Sequence, residues 1–123
     1  MGRNFRTIRA WELADDLAVA VYHATQGVPR DEIYGLVSHM RRAAVSVAAN
    51  IAEGSARKTR KDFMHFLNIA QASLVEVEYH IHLSERLGYL SAEATNDLSL
   101  AHRETAITLN GFIKSLERNQ LNG

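Results

Sequence analysis

Apolar side chains recur at intervals of three and four residues along almost the whole chain, and period-two alternation is missing throughout. This spacing lines one face of an α-helix rather than one face of a strand. Pro29 is the only proline in the 123 residues, so long stretches are free of helix breakers. The pattern predicts an all-α chain with helices over residues 7–25, 33–53, 60–87 and 92–117.

Capping residues mark the predicted helix ends. Gly54 is expected to end the second helix by taking the left-handed cap conformation, which costs glycine little. Thr59 stands three residues before the carboxylate of Asp62 and is expected to begin the third helix, which Gly88 closes. Ser91 is suited to cap the start of the fourth helix.

The predicted connections between helices are short. Short loops cannot carry the chain back along a helix, so they favour neighbours that run in opposite directions. A length of 123 residues suits one core. We therefore expect residues 1–123 to form a single domain, an antiparallel up-down-up-down four-helix bundle.

Two of the predicted helices carry more apolar surface than one core requires. Leu13 and Ala20 lie off the main stripe of the first helix, and Leu100 and Ile107 lie off that of the fourth. A helix that is apolar on two sides usually buries both, and closed homo-oligomers are the common way to do so. Self-association is the expectation, and a wide monomeric core with a few exposed leucines is the alternative.

Composition excludes several classes of protein. The chain has no cysteine, which rules out disulfides, thiolate zinc sites and thiol nucleophiles, and fits a reducing cytoplasm. The first six residues lack the apolar run of a secretory signal, and no segment approaches the ~20 apolar residues that span a bilayer. We expect a cytoplasmic protein with no membrane partner.

The sequence offers no pattern typical of an enzyme or a metal site. Only residues 62–65 come near the Glu-x-x-His motif of di-iron bundles, with the wrong acid and no second copy. His80 and His82 are two residues apart and therefore fall on nearly opposite sides of a helix. The serines at positions 46, 73 and 84 stand in no nucleophile motif. We expect no catalytic residue, no metal and no cofactor.

The clearest charged feature consists of six basic residues in two groups. These candidate nucleic-acid-binding residues are Arg41 and Arg42, followed by Arg57, Lys58, Arg60 and Lys61. The groups are about 20 Å apart along a straight helix, so only assembly would join them into one surface. The second group would attract phosphate backbones in a salt-dependent way, or would simply be a solvated turn. Arg41 or Arg42 would instead be structural if paired with Glu53, Glu76 or Glu78.

A run of small residues around Asn50 predicts that the second helix is closely packed, which makes Asn50 a candidate buried amide that fixes helix register. Structural roles are expected for six residues: Trp11, Asn50, Glu53, Gly54, Glu76 and Gly88.

These residues also carry a resemblance that covers residues 5–116. The chain resembles the four-helix-bundle family encoded by intervening sequences in bacterial large-subunit (23S) ribosomal RNA genes. The shared segments are Ala10-Trp11, Ile33-Tyr34-Gly35-Leu36, the runs 41–47 and 50–54, Phe63, Phe66-Leu67, Ser73-Leu74-x-Glu76, and Leu87-Gly88-Tyr89-Leu90. The family often has Ser-Ile-Pro-x-Asn where this chain has Ser46-Val47-Ala48-Ala49-Asn50, so a kink of the second helix is not expected here. It also often has glycine where Ala72 stands.

That family is similar in turn to the accessory variability protein of diversity-generating retroelements, a homopentamer that binds nucleic acid and a reverse transcriptase. The resemblance implies five copies and a basic surface that binds RNA or DNA. The first hypothesis is thus a non-enzymatic, homo-oligomeric nucleic-acid-associated protein. The second is a protein-interaction scaffold, or an accessory subunit of a reverse transcriptase or other protein, with no nucleic-acid role.

Overall fold

The structure is a computed structural model that describes the backbone of residues 3–122 and the side chains of residues 3–31 and 34–119. Four α-helices dominate it: α1 (Arg9–Ala24), α2 (Ser38–Ser55), α3 (Arg60–Arg86) and α4 (Ala92–Asn122). Two 3-10 turns, Phe5–Thr7 and Arg30–Glu32, and a π-type turn, Ile33–Val37, complete the regular elements. No strand occurs in this part of the chain, so the expected all-α class with four helices is confirmed.

The helices pack as a closed set of neighbours. α1 packs on α2 and α4, and α3 packs on the same two helices. Each helix contributes its apolar stripe to one cluster of buried side chains. The largest of the fully buried side chains come from all four helices: Leu17, Met40, Ile51, Leu67 and Leu109.

Two contacts show which segments lie together. The amide of Arg3 donates to the carbonyl of Ser55 over 2.8 Å, so the beginning of the described chain lies beside the end of α2. The rings of Phe63 in α3 and Phe112 in α4 stand edge to face with centroids 5.7 Å apart. The start of α3 and the latter part of α4 therefore meet at the same end of the molecule as Arg3.

The helix caps follow local chemistry. Thr59 Oγ1 accepts a hydrogen bond from the amide of Asp62 over 3.1 Å, and Ser91 Oγ accepts one from the amide of Ala94 over 3.0 Å. Each hydroxyl satisfies one of the first-turn amides that have no partner within the helix. Gly88 follows α3 with φ +80°, a conformation that residues with a side chain rarely adopt.

Gly54 does not cap α2. The helix continues through Gly54 to Ser55, and Gly88 is the glycine with positive φ among the described residues. The left-handed cap expected at Gly54 is therefore wrong. Gly54 is buried, and a methyl group placed on it would stand 2.8 Å from Phe66 Cβ and 2.9 Å from Phe63 Cδ1. Its missing side chain lets α2 approach α3 closely.

Other helix ends also differ from the sequence pattern. α2 begins at Ser38 rather than at residue 33, because Gly35 takes the non-helical angles φ −106° and ψ −108° within the preceding π-type turn. α1 begins at Arg9 because Asn4 Oδ1 caps a separate 3-10 turn by accepting from the amide of Arg6. α4 runs on to Asn122. α2 is continuous through residues 46–50.

Between residues 3 and 122, none of the helices combines the length and the apolar character needed to cross a membrane.

Candidate nucleic-acid interface

Positive charge is concentrated at one end of the bundle, where the contacts of Arg3 bring together the first residues, the α2–α3 connection and the latter part of α4. We call residues 3–12, 53–62 and 112–119 the basic end. By sequence these segments hold nine basic and four acidic side chains. Because the whole chain has a net charge of zero, the basic end carries about +5 and the rest about −5. The chain is neutral overall, but its positive and negative charges are unevenly distributed.

A cleft of about 160 Å³ lies at the centre of this end. We call it the basic cleft. Its walls come from the N-terminal segment, the α2–α3 connection, α3 and α4: Arg3, Ser55, Arg57, Lys58, Thr59, Arg60, Phe63 and Leu116. Four of these eight residues are cationic and none is acidic, so the cleft is a site of positive potential.

The four cations of the cleft are held differently. Arg57 pairs with Glu53 one turn back in α2, and its guanidinium stacks on Phe66 with 4.6 Å to the ring centroid. The guanidinium of Arg3 lies 5.9 Å from the ring centroids of both Phe63 and Phe112. Arg57 is therefore neutralised in part, whereas Arg3 lies to one side of the Phe63–Phe112 ring pair and has no carboxylate partner among the described residues.

The remaining cations of this connection are exposed. Lys58, Arg60 and Lys61 form no ion pair with any described residue, and Lys61 lies just outside the cleft lining. Exposed lysines and arginines without carboxylate partners keep their full charge available to a phosphate. The sequence-predicted group of four thus stays together, with Arg57 partly engaged by Glu53.

Arg3 is the residue of this site that sequence reasoning missed. It lies far from the α2–α3 connection along the chain, and reaches it only because its amide bonds to Ser55. No local spacing signals such a contact. The only hint is its position before Phe5, whose ring packs edge to face on Trp11 with centroids 4.9 Å apart and helps to fix the segment on the bundle.

Arg41 belongs to a different part of the molecule. Its Nε donates to Thr25 Oγ1 over 3.0 Å, and its guanidinium lies 4.6 Å from the ring centroid of Tyr22. Thr25 is buried and donates its own hydroxyl proton to the carbonyl of Val21. Arg41 therefore ties the end of α1 to α2 through a hydroxyl and an aromatic ring, and the carboxylate pairing considered for it is wrong.

Arg42 lies on the other side of α2, in an open polar cavity of about 340 Å³ between α2 and α3. We call it the polar cavity, and its lining is His39, Arg42, Ala43, Ser46, Ser73 and Glu76. Arg42 and Glu76 share this lining but form no ion pair within the described structure. Arg42 is exposed, and it is not joined to the basic cleft within one chain.

Asn50 joins a small hydrogen-bond network with Ser46 and Ser73, two residues of the polar cavity lining. Its Nδ2 donates to the carbonyl of Ser46 over 2.8 Å and lies 2.9 Å from Ser46 Oγ, which in turn shares a proton with Ser73 Oγ over 2.8 Å. This chain of contacts links α2 to α3 and satisfies a half-buried amide. The arrangement suits a side chain that fixes the register of the two helices.

Two histidines flank the same cavity. The rings of His39 and His80 are perpendicular, with centroids 6.2 Å apart. Burial lowers the pKa of His80, the nearby carboxylate of Glu76 raises it, and the proximity of His39 lowers it further, so that the pKa falls below its usual value. Nδ1 of His80 is buried without a hydrogen-bond partner among the described residues. Among the residues that the structure describes, no group of three or more His, Asp or Glu side chains is arranged to hold a metal ion.

A third feature is an apolar groove between α3 and α4, with a volume of about 920 Å³. Its apolar lining residues are Leu74, Val75, Ile81, Ala106 and Ile107, and its polar ones are Gln71, Glu78, Ser99, His102, Arg103 and Asn110. Val75 is 66% exposed and Ile107 is 62% exposed. Leu100, on α4 as well, is 62% exposed, so the surplus apolar surface predicted for the fourth helix is present in the single chain. On α1, Leu13 and Ala20 are half-buried.

Comparison with known proteins gives the fold and the family. The structure is similar to that of a protein of unknown function from the S23 ribosomal protein family of Bacteroides thetaiotaomicron VPI-5482, with a TM-score of 0.79 and 24% identity. The match covers 85% of this chain and 95% of that one. No curated protein matches the chain. The family model of the 23S rRNA-intervening sequence protein matches residues 6–111, which confirms the resemblance carried by the sequence. The chain therefore belongs to the 23S rRNA-intervening sequence protein family.

Proposed function

We propose that this chain is a non-enzymatic, homo-oligomeric protein that binds nucleic acid, RNA or DNA, through its basic end. The observation that carries the proposal is the basic cleft, where Arg3, Lys58 and Arg60 line one surface without a carboxylate partner among the described residues. A nucleic-acid backbone presents closely spaced phosphates and releases condensed counterions when cationic side chains replace them. A surface of about +5 on an otherwise acidic chain is suited to that exchange.

The chemistry of the basic end favours contact with the backbone over the reading of bases. Phe63 is buried, and Phe66 lies beneath the guanidinium of Arg57. Neither ring is free to stack on an unpaired base, which is how single-stranded nucleic acid is usually read. Binding should therefore be largely independent of sequence and strongly dependent on salt.

Fluorescence anisotropy with labelled RNA and DNA oligonucleotides across a salt series tests this proposal. A triple variant, Lys58→Ala, Arg60→Ala and Lys61→Ala, removes three exposed charges from the basic end. The matched control is Arg30→Ala, Arg42→Ala and Arg86→Ala, which removes three exposed charges that lie outside both the basic end and the α3–α4 groove. We expect the first variant to bind at least about tenfold more weakly at low salt, with a salt slope reduced by about 2 to 3.

The control variant should bind within about twofold of the parent chain. Equal losses in the two triple variants would mean that total charge, and not the basic end, determines the affinity. No measurable binding of either oligonucleotide at low salt would overturn the proposal.

The helices of the proposed protein alternate in direction. Support comes from the short connections 56–59 and 87–91. The contact of Arg3 with Ser55 also places the segment before the start of α1 beside the end of α2. Further support comes from Arg41, near the start of α2, which reaches Thr25 at the end of α1. A cytoplasmic location fits the cysteine-free sequence.

Self-association of the chain is supported by its exposed apolar surface. The α3–α4 groove exposes Val75 and Ile107, and a separate set of exposed apolar side chains on α1 and α2 includes Val19 and Val45. Exposed apolar side chains on several helices suit an assembly of identical copies such as a closed ring, in which they would be buried. The resemblance to the accessory variability protein makes five the number of copies to test. Such a ring would place one basic end in each copy and pool their positive potential.

The α3–α4 groove also favours a second candidate function. An amphipathic helix from another protein, such as a reverse transcriptase, would fit an apolar groove between two helices. The chain would then be an interaction scaffold without its own nucleic-acid role. Recovery of one major protein in a pulldown that is insensitive to nuclease and is lost in Ile107→Asp would favour this function over the first.

A further inference from the structure

The basic cleft has the dimensions of a small anion site. Its volume is about 160 Å³. Pockets that enclose whole small-molecule ligands are roughly 300 to 1,000 Å³, which is considerably larger. A volume of this size suits a small polyatomic anion better than a whole nucleotide. A tetrahedral phosphate group has five heavy atoms, whereas a nucleobase or a nucleoside has more.

The position of Arg3 beside the cleft is defined by its own contacts before any anion binds. The backbone of Arg3 is fixed by its 2.8 Å hydrogen bond to Ser55, and its guanidinium lies equally far, 5.9 Å, from the rings of Phe63 and Phe112. A guanidinium that rests against two neighbouring aromatic rings loses less conformational freedom on binding than a freely moving one. Lys58 and Arg60 add two further cations from the adjacent connection.

The hydroxyl of Thr59 supplies a neutral donor. Thr59 Oγ1 accepts the capping hydrogen bond from the amide of Asp62, which occupies a lone pair and leaves its own proton free to donate. Ser55 Oγ, by contrast, donates to the carbonyl of Ala52. With no carboxylate in the cleft lining, an incoming anion meets no negatively charged side chain there.

We propose that the basic cleft seats a single phosphate group, with Arg3, Lys58 and Arg60 supplying charge and Thr59 donating a hydrogen bond. The phosphate has two possible sources, a nucleic acid or free inorganic phosphate. The first source rests on the proposed function, whereas the seat itself does not. The position of Arg3 beside Thr59 and Arg60 gives the cleft a geometry that a dispersed basic surface lacks.

Titration of the 15N-labelled chain with inorganic phosphate at constant ionic strength, followed by NMR, tests the seat directly. The amides of Ser55, Thr59 and Arg60 should shift and saturate together. Arg3→Ala should weaken the fitted Kd at least about fivefold. The matched control is Arg6→Ala, which removes the same charge from the same end. Arg6 is suitable because it stacks on Phe5, with 4.6 Å to the ring centroid, and does not line the cleft.

A second variant guards against an effect of misfolding. Thr59→Asp keeps a good N-cap for α3 but places a carboxylate in the cleft, so it should retain the fold and abolish phosphate binding. Equal Kd values for Arg3→Ala and Arg6→Ala, or undiminished phosphate binding in Thr59→Asp, would overturn the seat. Shifts that rise without saturation at the cleft amides would overturn it as well.

Oligonucleotides of one sequence with and without a 5′-phosphate separate the two sources. Tighter binding of the 5′-phosphorylated strand, lost in Arg3→Ala but not in Arg6→Ala, would assign the seat to a strand end. Equal binding of both strands, weakened more by Arg3→Ala than by Arg6→Ala, would assign it to a backbone phosphate. Saturable phosphate binding without oligonucleotide affinity would retain the seat and reject the proposed function. Oligonucleotide binding that Arg3→Ala and Arg6→Ala weaken equally would reject the phosphate seat and retain the proposed function.

Discussion

Gly54 of α2 lies directly against Phe66 of α3, so close that a methyl group on Gly54 would stand 2.8 Å from Phe66 Cβ. The same methyl group would lie 3.3 Å from the carbonyl oxygen of Phe63. The backbones of α2 and α3 approach closely here because Gly54 has no side chain. The contact also lies beside the basic end, since Arg57 stacks on the same Phe66 ring.

Gly54→Ala should therefore destabilise the chain. Overpacking a tight contact costs about 1 to 3 kcal/mol, and the better helix propensity of alanine returns at most about 1 kcal/mol. We expect a net loss of roughly 1 to 2 kcal/mol in the free energy of unfolding, measured by urea denaturation. The control is Gly111→Ala in α4, where nothing lies within 4 Å of the added methyl group. That variant should gain about 0.5 to 1 kcal/mol, and a gain in both variants would contradict the close contact at Gly54.

Arg41 should contribute to stability and not to nucleic-acid affinity. Arg41→Ala removes the charged hydrogen bond to Thr25 and the stacking on Tyr22, and should lower the free energy of unfolding by about 1 to 2 kcal/mol. Arg42→Ala, which removes an exposed side chain without such partners, should change it by less than about 0.5 kcal/mol. Urea denaturation and oligonucleotide anisotropy on both variants check this. A loss of affinity in Arg41→Ala at unchanged stability would be incompatible with the structure.

The stability of the chain should decrease as the pH falls through the range in which histidine titrates. Burial lowers the pKa of His80 in the folded state, so below the unfolded value of about 6.5 the unfolded chain binds more protons than the folded one. The contribution of His80 is thus complete above that value and is lost on acidification. The groups that face it are the carboxylate of Glu76, the ring of His39 and the ring of Tyr79.

Urea denaturation at several values between pH 8 and pH 5 measures this dependence. His80→Gln should flatten the curve relative to the parent chain, because glutamine carries no titrating group. His82→Gln, which changes an exposed histidine on the same helix, serves as the control. If the two variants flatten the curve equally, His80 is not the residue responsible.

A charge in the α3–α4 groove should disrupt self-association. Ile107→Asp places a carboxylate among Val75, Leu74 and Ala106, which would be buried where two copies meet. We expect the mass from light scattering to fall to that of one 13.7 kDa chain, with helical content retained. Leu87→Asp, at a residue that is 53% exposed at the end of α3, should leave the mass of the assembly unchanged. A parent chain that is monomeric at all concentrations would end this part of the proposal.

The helices could be predicted from the sequence because their signals are local. The three- and four-residue spacing sets each buried stripe, and Thr59 and Ser91 cap helices through residues three positions away. The cap predicted at Gly54 is wrong because a cap and a close contact both require glycine, and the spacing along one helix cannot distinguish them. The start of α2 was misplaced because the apolar stripe continues through Gly35, where the backbone is not helical.

The site was predictable only where its residues are adjacent in sequence. The group from Arg57 to Lys61 could be identified from composition, but its extension to Arg3 depends on a backbone contact with Ser55. Sequence likewise allowed a carboxylate partner for Arg41, whereas packing gives it Thr25 and Tyr22 instead. Contacts between distant segments decide which cations are available, and no local pattern encodes them.

Because positive and negative charges are separated along the bundle, a polyanion can be attracted to one end of a chain whose net charge is zero. α3 alone has 27 residues and is about 40 Å long, while fixed charges are screened over about 8 Å at physiological ionic strength. A phosphate chain near the basic end therefore experiences that end and almost nothing of the acidic remainder. The molecule should turn as it approaches, attach end-on, and leave its long acidic flanks pointing away from the strand, where they would repel a second strand.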